Sequence, residues 1–323
     1  MQTVFPARLS PRNKIHYDFS PKSPEQHDIH NDLQIVQIIS SSKFPVYLVY
    51  SKSQQRHFAM KIFLKEKSTL HEGFIKESQF ISLTHPNLVN ILKAQPSKQM
   101  LYDGELVCVS YILMEYALFG DFSDLFLKDL FVNDEKLVRT YFHQLMKALS
   151  FLHKNRIAHM DIKLENLLLS EDFSLKLADF DFAFFEGDDY VNPGTKNFRA
   201  PEVLNLECKD PFAADVYSAG IILFALFVGL LPYTENSKPG SPNLWKLLLN
   251  NKQDFWIAFE GHFAKHIFFS KNFKSLFESM TEKDPVKRAT VEDVMKSKWY
   301  NEPIYTSGEL RQIMKAKMSK YYH

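Results

Sequence analysis

The sequence predicts an α+β protein of two lobes, a small β-rich N-lobe followed by a larger helical C-lobe. Two observations carry this. From Leu33 the apolar residues fall into short strand-like segments, Leu33–Ile39, Val46–Tyr50 and His57–Phe63, and then into a strand pair ending at Ile112-Leu113-Met114. After Glu115-Tyr116-Ala117 the spacing changes to that of a helix, with Leu137, Val138, Tyr141, Phe142, Leu145, Leu149 and Leu152 recurring three or four residues apart.

The elements follow in order. Residues 1–30 are polar, with Pro6, Pro11, Pro21 and Pro24 spread through them, and read as a flexible extension. Residues 31–117 form the N-lobe and hinge, 118–300 the C-lobe, and 301–323 a helical tail. On the strand His57–Phe63, alternation puts Ala59, Lys61 and Phe63 on one face. A small Ala leaves room for a flat base and the lysine can reach phosphates, although this strand alone reads rather as carrying a solvated lysine on a half-exposed strand. A helix is expected near Leu70–Leu83. Asn133 is placed to cap the first long helix, with Asp134 and Glu135 at the positive end of its dipole. The longest uncharged apolar run, Val216–Leu231, is shorter than the roughly 20 residues that span a bilayer, so it reads as a buried core helix. Thr290 with Asp293, and Thr306 with Glu309, have capping-box spacing. After Thr306 come Leu310, Ile313, Met314 and Met318 among Arg311, Lys315, Lys317 and Lys320. Such a basic amphipathic helix either docks on its own domain, the preferred reading, or binds calmodulin or another regulatory protein.

Composition narrows the function. The 323 residues are 45% hydrophobic and 24% charged, and the net charge of +1 speaks against a nucleic-acid or membrane-surface partner. The two cysteines, Cys108 and Cys208, lack metal-ligand spacing and read as reduced thiols of a cytoplasmic protein.

The chemistry is concentrated between His159 and Glu202. One short loop, His159-Met160-Asp161-Ile162-Lys163-Leu164-Glu165-Asn166, carries an aspartate, a lysine and an asparagine. Leu167-Leu168-Leu169, a turn at Ser170-Glu171-Asp172, and Ser174-Leu175-Lys176-Leu177 read as a hairpin. Its outer ends would bring Asn166 beside Asp179, two oxygen ligands suited to Mg²⁺. Asp161 is placed to take a proton from an attacking hydroxyl, and Lys163 to neutralise a phosphoryl group.

These residues, with Ala178-Asp179-Phe180-Asp181 and Ala200-Pro201-Glu202 behind them, resemble the signature of eukaryotic protein kinases. The likeness runs from about Asp32 to Trp299 and is closest to serine/threonine kinases of the calcium/calmodulin-dependent kind. It implies a two-lobed kinase fold, ATP and Mg²⁺ as cofactors, and a protein substrate with a Ser or Thr acceptor. It further implies that Lys61, paired with Glu77, faces the nucleotide phosphates. Adenine would meet the backbone of Glu115 and Ala117 beside Ala59 and Met114, with Leu168 closing it from below and Asp121 near the ribose. Ile81, Ile91, His159 and Phe180 match the family's stacked spine. Glu202 would pair with Arg288, Asp215 would brace the catalytic loop, and Thr195 would bond Asp161 and Lys163.

Six positions depart from the family. Ser40, Ser42 and Pro45 stand where the phosphate-binding loop has glycines, so weaker ATP binding is expected, with the two serine hydroxyls as substitute donors. Asp181 replaces the glycine after Asp179-Phe180, Met160 the arginine before Asp161, and Phe198 the usual tyrosine. The segment Phe182–Phe198 has no Ser or Thr ahead of Thr195, so no serine or threonine phosphorylation switch is expected there. The reading is an ATP-dependent serine/threonine kinase, with a pseudokinase acting as a binding or scaffold module as the alternative. Asp121 and Glu165 are candidates for favouring a basic residue before the acceptor.

Overall fold

The computed structural model describes residues 32–41, 44–64, 70–102, 105–187, 196–233, 243–262 and 267–321. The N-terminal extension, Ser42, and the segment carrying Asp188, Asp189, Tyr190 and Thr195 lie outside the described residues. Contacts divide the chain into two units with the break between Leu118 and Phe119, one residue beyond the expected Ala117.

The smaller unit is an antiparallel sheet ordered β1-β2-β3-β5-β4, built from Leu33–Ser40 (β1), Val46–Ser51 (β2), Arg56–Leu64 (β3), Ile91–Tyr102 (β4) and Glu105–Glu115 (β5). β3 is central, and Phe58 to Phe63 are all buried. Its Phe58, Met60 and Ile62 join Val49, Val109 and Tyr111 in one core layer, so the side-chain alternation leaves Ala59, Lys61 and Phe63 on the opposite face. Helix α1 (Glu72–Ser78) packs in this unit. His71 caps it, Nδ1 accepting the Gly73 N–H at 3.0 Å.

α1 passes directly into a 3₁₀ turn, Gln79–Ser82, and this corrects one expectation. Ile81, the proposed spine residue, is 43% exposed, whereas Phe80 is buried. A 3₁₀ turn aligns residues three apart rather than four, so the position in line with buried Glu77 is Phe80.

The larger unit is mainly helical. Its first long helix, α3 (Glu135–Lys154), follows the short α2 (Phe122–Leu127). The cap of α3 is Asp134, whose carboxylate accepts the Leu137 N–H at 3.0 Å, and not Asn133. Asn133 is instead left-handed, φ 62°, in the turn before the cap, a conformation asparagine tolerates. Strands β6 (Ile157–Ala158) and β9 (Phe184–Phe185) pair, as do β7 (Leu167–Leu169) and β8 (Leu175–Leu177). Helix α4 (Pro201–Leu204) precedes α5 (Pro211–Val228), which starts at the Asp210 cap with Pro211 in its first turn and stops at left-handed Gly229. α5 is apolar on every side because it is the core helix, 83% buried. Helices α6 (Leu244–Asn250), α7 (Lys252–His262) and α8 (Lys271–Met280) follow. Phe224 of α5 packs against Phe255 and Phe259 of α7 and Phe277 of α8.

Both capping boxes form, at Thr290 before α9 (Val291–Lys296) and at Thr306 before α10 (Ser307–Met318). The tail is docked. Leu310, Met314 and Met318 are buried, and Lys317 bonds the Leu130 carbonyl at 3.0 Å and Asp134 at 3.3 Å. The apolar face that a calmodulin-like partner would need is therefore occupied within the larger unit. The physical reason is that α3 offers Asp134 and Lys136 at matching positions, Lys136 lying over the Tyr305 ring at 4.2 Å.

Candidate active site

The larger unit assembles the loop His159–Asn166 around one buried carboxylate. Asp215, 1% exposed on α5, accepts the backbone N–H groups of His159 at 2.7 Å and Met160 at 2.8 Å. His153, at the end of α3, donates its Nε2 proton to the same side chain at 2.9 Å. No spacing in the chain points to this third partner. His159 is fully buried, edge-on to Phe180 with 5.4 Å between the rings. Its Nε2 donates to the Ala178 carbonyl and its Nδ1 accepts the Asp161 N–H, so the neutral ring ties the loop to the segment before Asp179.

Asp161 is 3% exposed, and two partners converge on its Oδ2. Lys163 donates from Nζ at 2.5 Å, and Asn166 from Nδ2 at 3.0 Å. Asn166 Nδ2 also reaches the Asp161 carbonyl at 2.8 Å. With its nitrogen committed to the loop, the amide presents Oδ1 as its acceptor.

The hairpin behaves as its spacing predicts. Leu167 pairs with Leu177, and Ala178 N–H bonds the Asn166 carbonyl at 2.9 Å, so Asn166 faces Ala178 and Asp179 is the next residue along. A cation binding here would meet an amide oxygen and a carboxylate, the hard-oxygen set that suits Mg²⁺. Asp179 holds φ 68°, a left-handed conformation that non-glycine residues seldom adopt. Asp181 is absent from the left-handed residues among those described, so the glycine it replaces is not required in this conformation.

Asp121 and Leu168 are bridged partners, because Gly120 and Phe119 pair with Leu169. Leu168 is half-buried between buried Leu167 and Leu169. Asp121 caps α2, accepting the Asp124 N–H at 3.0 Å. Burial raises its pKa, and the charges of Asp124 and Glu165 push the same way. A cationic partner there would relieve the repulsion.

The smaller unit carries the second group. Lys61 Nζ lies 2.8 Å from Glu77 Oε2, with side-chain exposures of 6% and 3%. Glu77 reaches it from α1, in line with Phe74 inside the unit. Ala59 is buried opposite Met114 in the ladder, next to half-buried Glu115 and buried Ala117. Glu115 itself is anchored to Asn90, accepting its N–H on Oε1 at 2.7 Å. Ser40 ends β1, half-buried and paired with Val46. The residue the sequence did not flag is Phe44, buried beside Lys61 with its ring centroid 5.6 Å from Nζ.

In the larger unit Glu202 and Arg288 form a bidentate pair at 2.5 and 2.9 Å, with the arginine side chain fully buried. Phe198 is buried, and its carbonyl accepts the Ser218 hydroxyl at 2.8 Å.

Residues 40–300 match the protein kinase domain family. Among curated proteins, the chain is 29% identical over 269 residues to CBL-interacting protein kinase 11 of Oryza sativa subsp. japonica, covering 80% of this chain and 49% of that one. It is 30% identical over 288 residues to CBL-interacting serine/threonine-protein kinase 7 of Arabidopsis thaliana, covering 85% and 61%. The carbon catabolite-derepressing protein kinase of Secale cereale is 29% identical over 224 residues, covering 68% and 40%. The chain thus spans about half the length of the curated relatives it matches.

Proposed function

The chain belongs to the protein kinase family, of the serine/threonine kind, and on that premise we propose that it transfers the γ-phosphate of ATP to Ser or Thr hydroxyls of protein substrates. The observation that carries the reading is the Asp161 carboxylate, held by Lys163 and Asn166 on a loop that Asp215 clamps at two backbone positions.

In phosphoryl transfer a protein acts mostly by positioning groups and stabilising charge. Asp161 orients the acceptor hydroxyl and receives its proton. Lys163 offsets negative charge on the group in transit. Lys61, aimed by Glu77, binds phosphate oxygens. Asn166 and Asp179 would hold Mg²⁺, which would neutralise charge on the nucleotide phosphates. The backbones of Glu115 and Ala117 take the adenine, with Ala59 and Leu168 on its faces, and Asp121 serves the ribose or the substrate.

The pairing of acidic Asp121 with Glu165 supports substrates carrying a basic residue before the acceptor. Regulatory protein partners fit the same reading, since two of the relatives are named for interaction with CBL proteins. A partner of that kind engages a surface other than the docked face of α10. A cytosolic setting suits the two cysteines, which form no disulfide.

The test is incubation with radiolabelled ATP and a general protein substrate, with and without a chelator of divalent metals. Label should enter the substrate only while the metal is available. Well-folded protein that transfers no label would refute the proposal.

A further inference from the structure

Phe44 occupies an unusual place for a loop residue. Val36 to Ile39, on the strand before it, are exposed, yet Phe44 is only 8% exposed. The ring lies 4.7 Å from that of Phe63 and 4.7 Å from that of His71, edge-on to the latter. The next residue fixes the backbone, the Pro45 carbonyl accepting the Ile62 N–H at 3.0 Å. The seat is shaped by a missing side chain. A Cβ on Gly73 would come within 3.2 Å of Phe44 Cε2 and 3.3 Å of Cζ.

This seat adjoins Lys61. Its ammonium lies 5.6 Å from the ring centroids of both Phe44 and Phe63, in addition to its bond with Glu77. An ammonium beside two aromatic rings is stabilised by the negative quadrupoles of their faces. A phosphate oxygen needs to come within about 2.9 Å of the same nitrogen to bond it. The anion gains nothing from a ring face, and ring and phosphate exclude each other from the same volume.

We propose that Phe44 is an affinity-setting residue, an internal occupant of the seat beside Lys61 that nucleotide phosphates must displace. The proposal rests on Lys61 binding phosphate, as argued above. It also gives Phe44 a function where the family's loop has glycines: the ring withholds the lysine until a nucleotide competes for it. Apparent affinity falls in proportion to the fraction of molecules with the seat open. A ring seated nine-tenths of the time weakens phosphate-bearing ligands about tenfold and leaves adenosine unaffected.

Calorimetric titration with ADP and with adenosine tests this on the wild type, Phe44→Ala, Gly73→Ala and Lys61→Met. Phe44→Ala should bind ADP about tenfold more tightly with adenosine unchanged. Gly73→Ala presses on the seated ring, its Cβ 3.2 Å from Phe44 Cε2 and 3.3 Å from His71 Nδ1, and should give a smaller gain in the same direction. Lys61→Met should abolish the gain when combined with Phe44→Ala. Equal or weaker ADP binding by both Phe44→Ala and Gly73→Ala overturns the proposal and leaves the kinase reading standing. So does an equal gain for adenosine and ADP. A Phe44→Ala variant that binds ADP no better than Phe44→Ala with Lys61→Met removes the phosphate role of Lys61, and the proposal falls together with that part of the kinase reading.

Discussion

Asp215 accepts the backbone N–H of Met160 at 2.8 Å, and Met160 stands in the left-handed region with φ 63°. An L-residue there costs about 1–2 kcal/mol, so the conformation persists only where its surroundings dictate it. The clamp explains how the loop keeps its path with methionine in place of the family's arginine. The Met160 side chain is buried at 7% exposure and needs no partner for a charge.

Asp215→Ala removes the acceptor of three donors at once in a site that is 1% exposed. The expected loss is roughly 3–5 kcal/mol, as for one-sided removal of a buried charged partner. The urea midpoint measures it, and an unchanged midpoint would show that the loop is held by something else.

Glu202→Ala leaves the fully buried Arg288 guanidinium without its bidentate partner. We expect a destabilisation of roughly 3–5 kcal/mol from the single change. The double variant Glu202→Leu with Arg288→Met should recover much of it, because a buried pair gains little over apolar residues of similar volume. A double variant no more stable than the single would mean that the arginine acts mainly through its bond to the Ala213 carbonyl.

Met314 anchors α10 and is fully buried. Met314→Ala should cost about 2–5 kcal/mol, the range for emptying such a site. Arg311→Ala, on the exposed side of the helix, should change little. Equal stability of the two variants in thermal melts would mean that α10 contributes no packing to the fold.

His143 gives stability a pH dependence. Its ring stacks on Tyr300 at 3.6 Å, and Nε2 donates to the Tyr300 carbonyl at 2.6 Å. Burial lowers its pKa, the Tyr300 bond opposes that, and the Lys147 and Arg139 charges reinforce it. In the unfolded chain the ring takes up its proton near pH ~6.5. The folded ring does so at lower pH, so between the two values the unfolded state binds more protons. The stabilisation is complete above that unfolded value and declines as the solution is acidified through it. His143→Gln should flatten this part of the profile; parallel profiles for variant and wild type would assign the dependence to other groups.

Much of this was legible in the chain because the chemistry sits on short, local patterns. The hairpin 167–177 pairs as its spacing predicts and carries Asn166 opposite Ala178, the residue before Asp179, and the alternation on β3 puts Lys61 with Ala59. The errors came where a local pattern had two solutions. Asn133 and Asp134 are both good caps, and only the backbone turn decides between them. Ile81 lines up with Glu77 in an α-helix but not in the 3₁₀ turn that replaces it. Phe44 and His153 were illegible because their partners, Phe63, His71 and Asp215, lie far along the chain and share no spacing with them.

The account stands on Asp161 as the group that orients and deprotonates an acceptor hydroxyl. Single-turnover phosphate transfer from ATP, comparing the wild type with Asp161→Asn, tests it most directly. The amide keeps the shape of the carboxylate but cannot take the proton, so transfer to Ser and Thr should slow about 10²–10⁴-fold with nucleotide affinity unchanged. Equal rates in the two proteins would contradict the account.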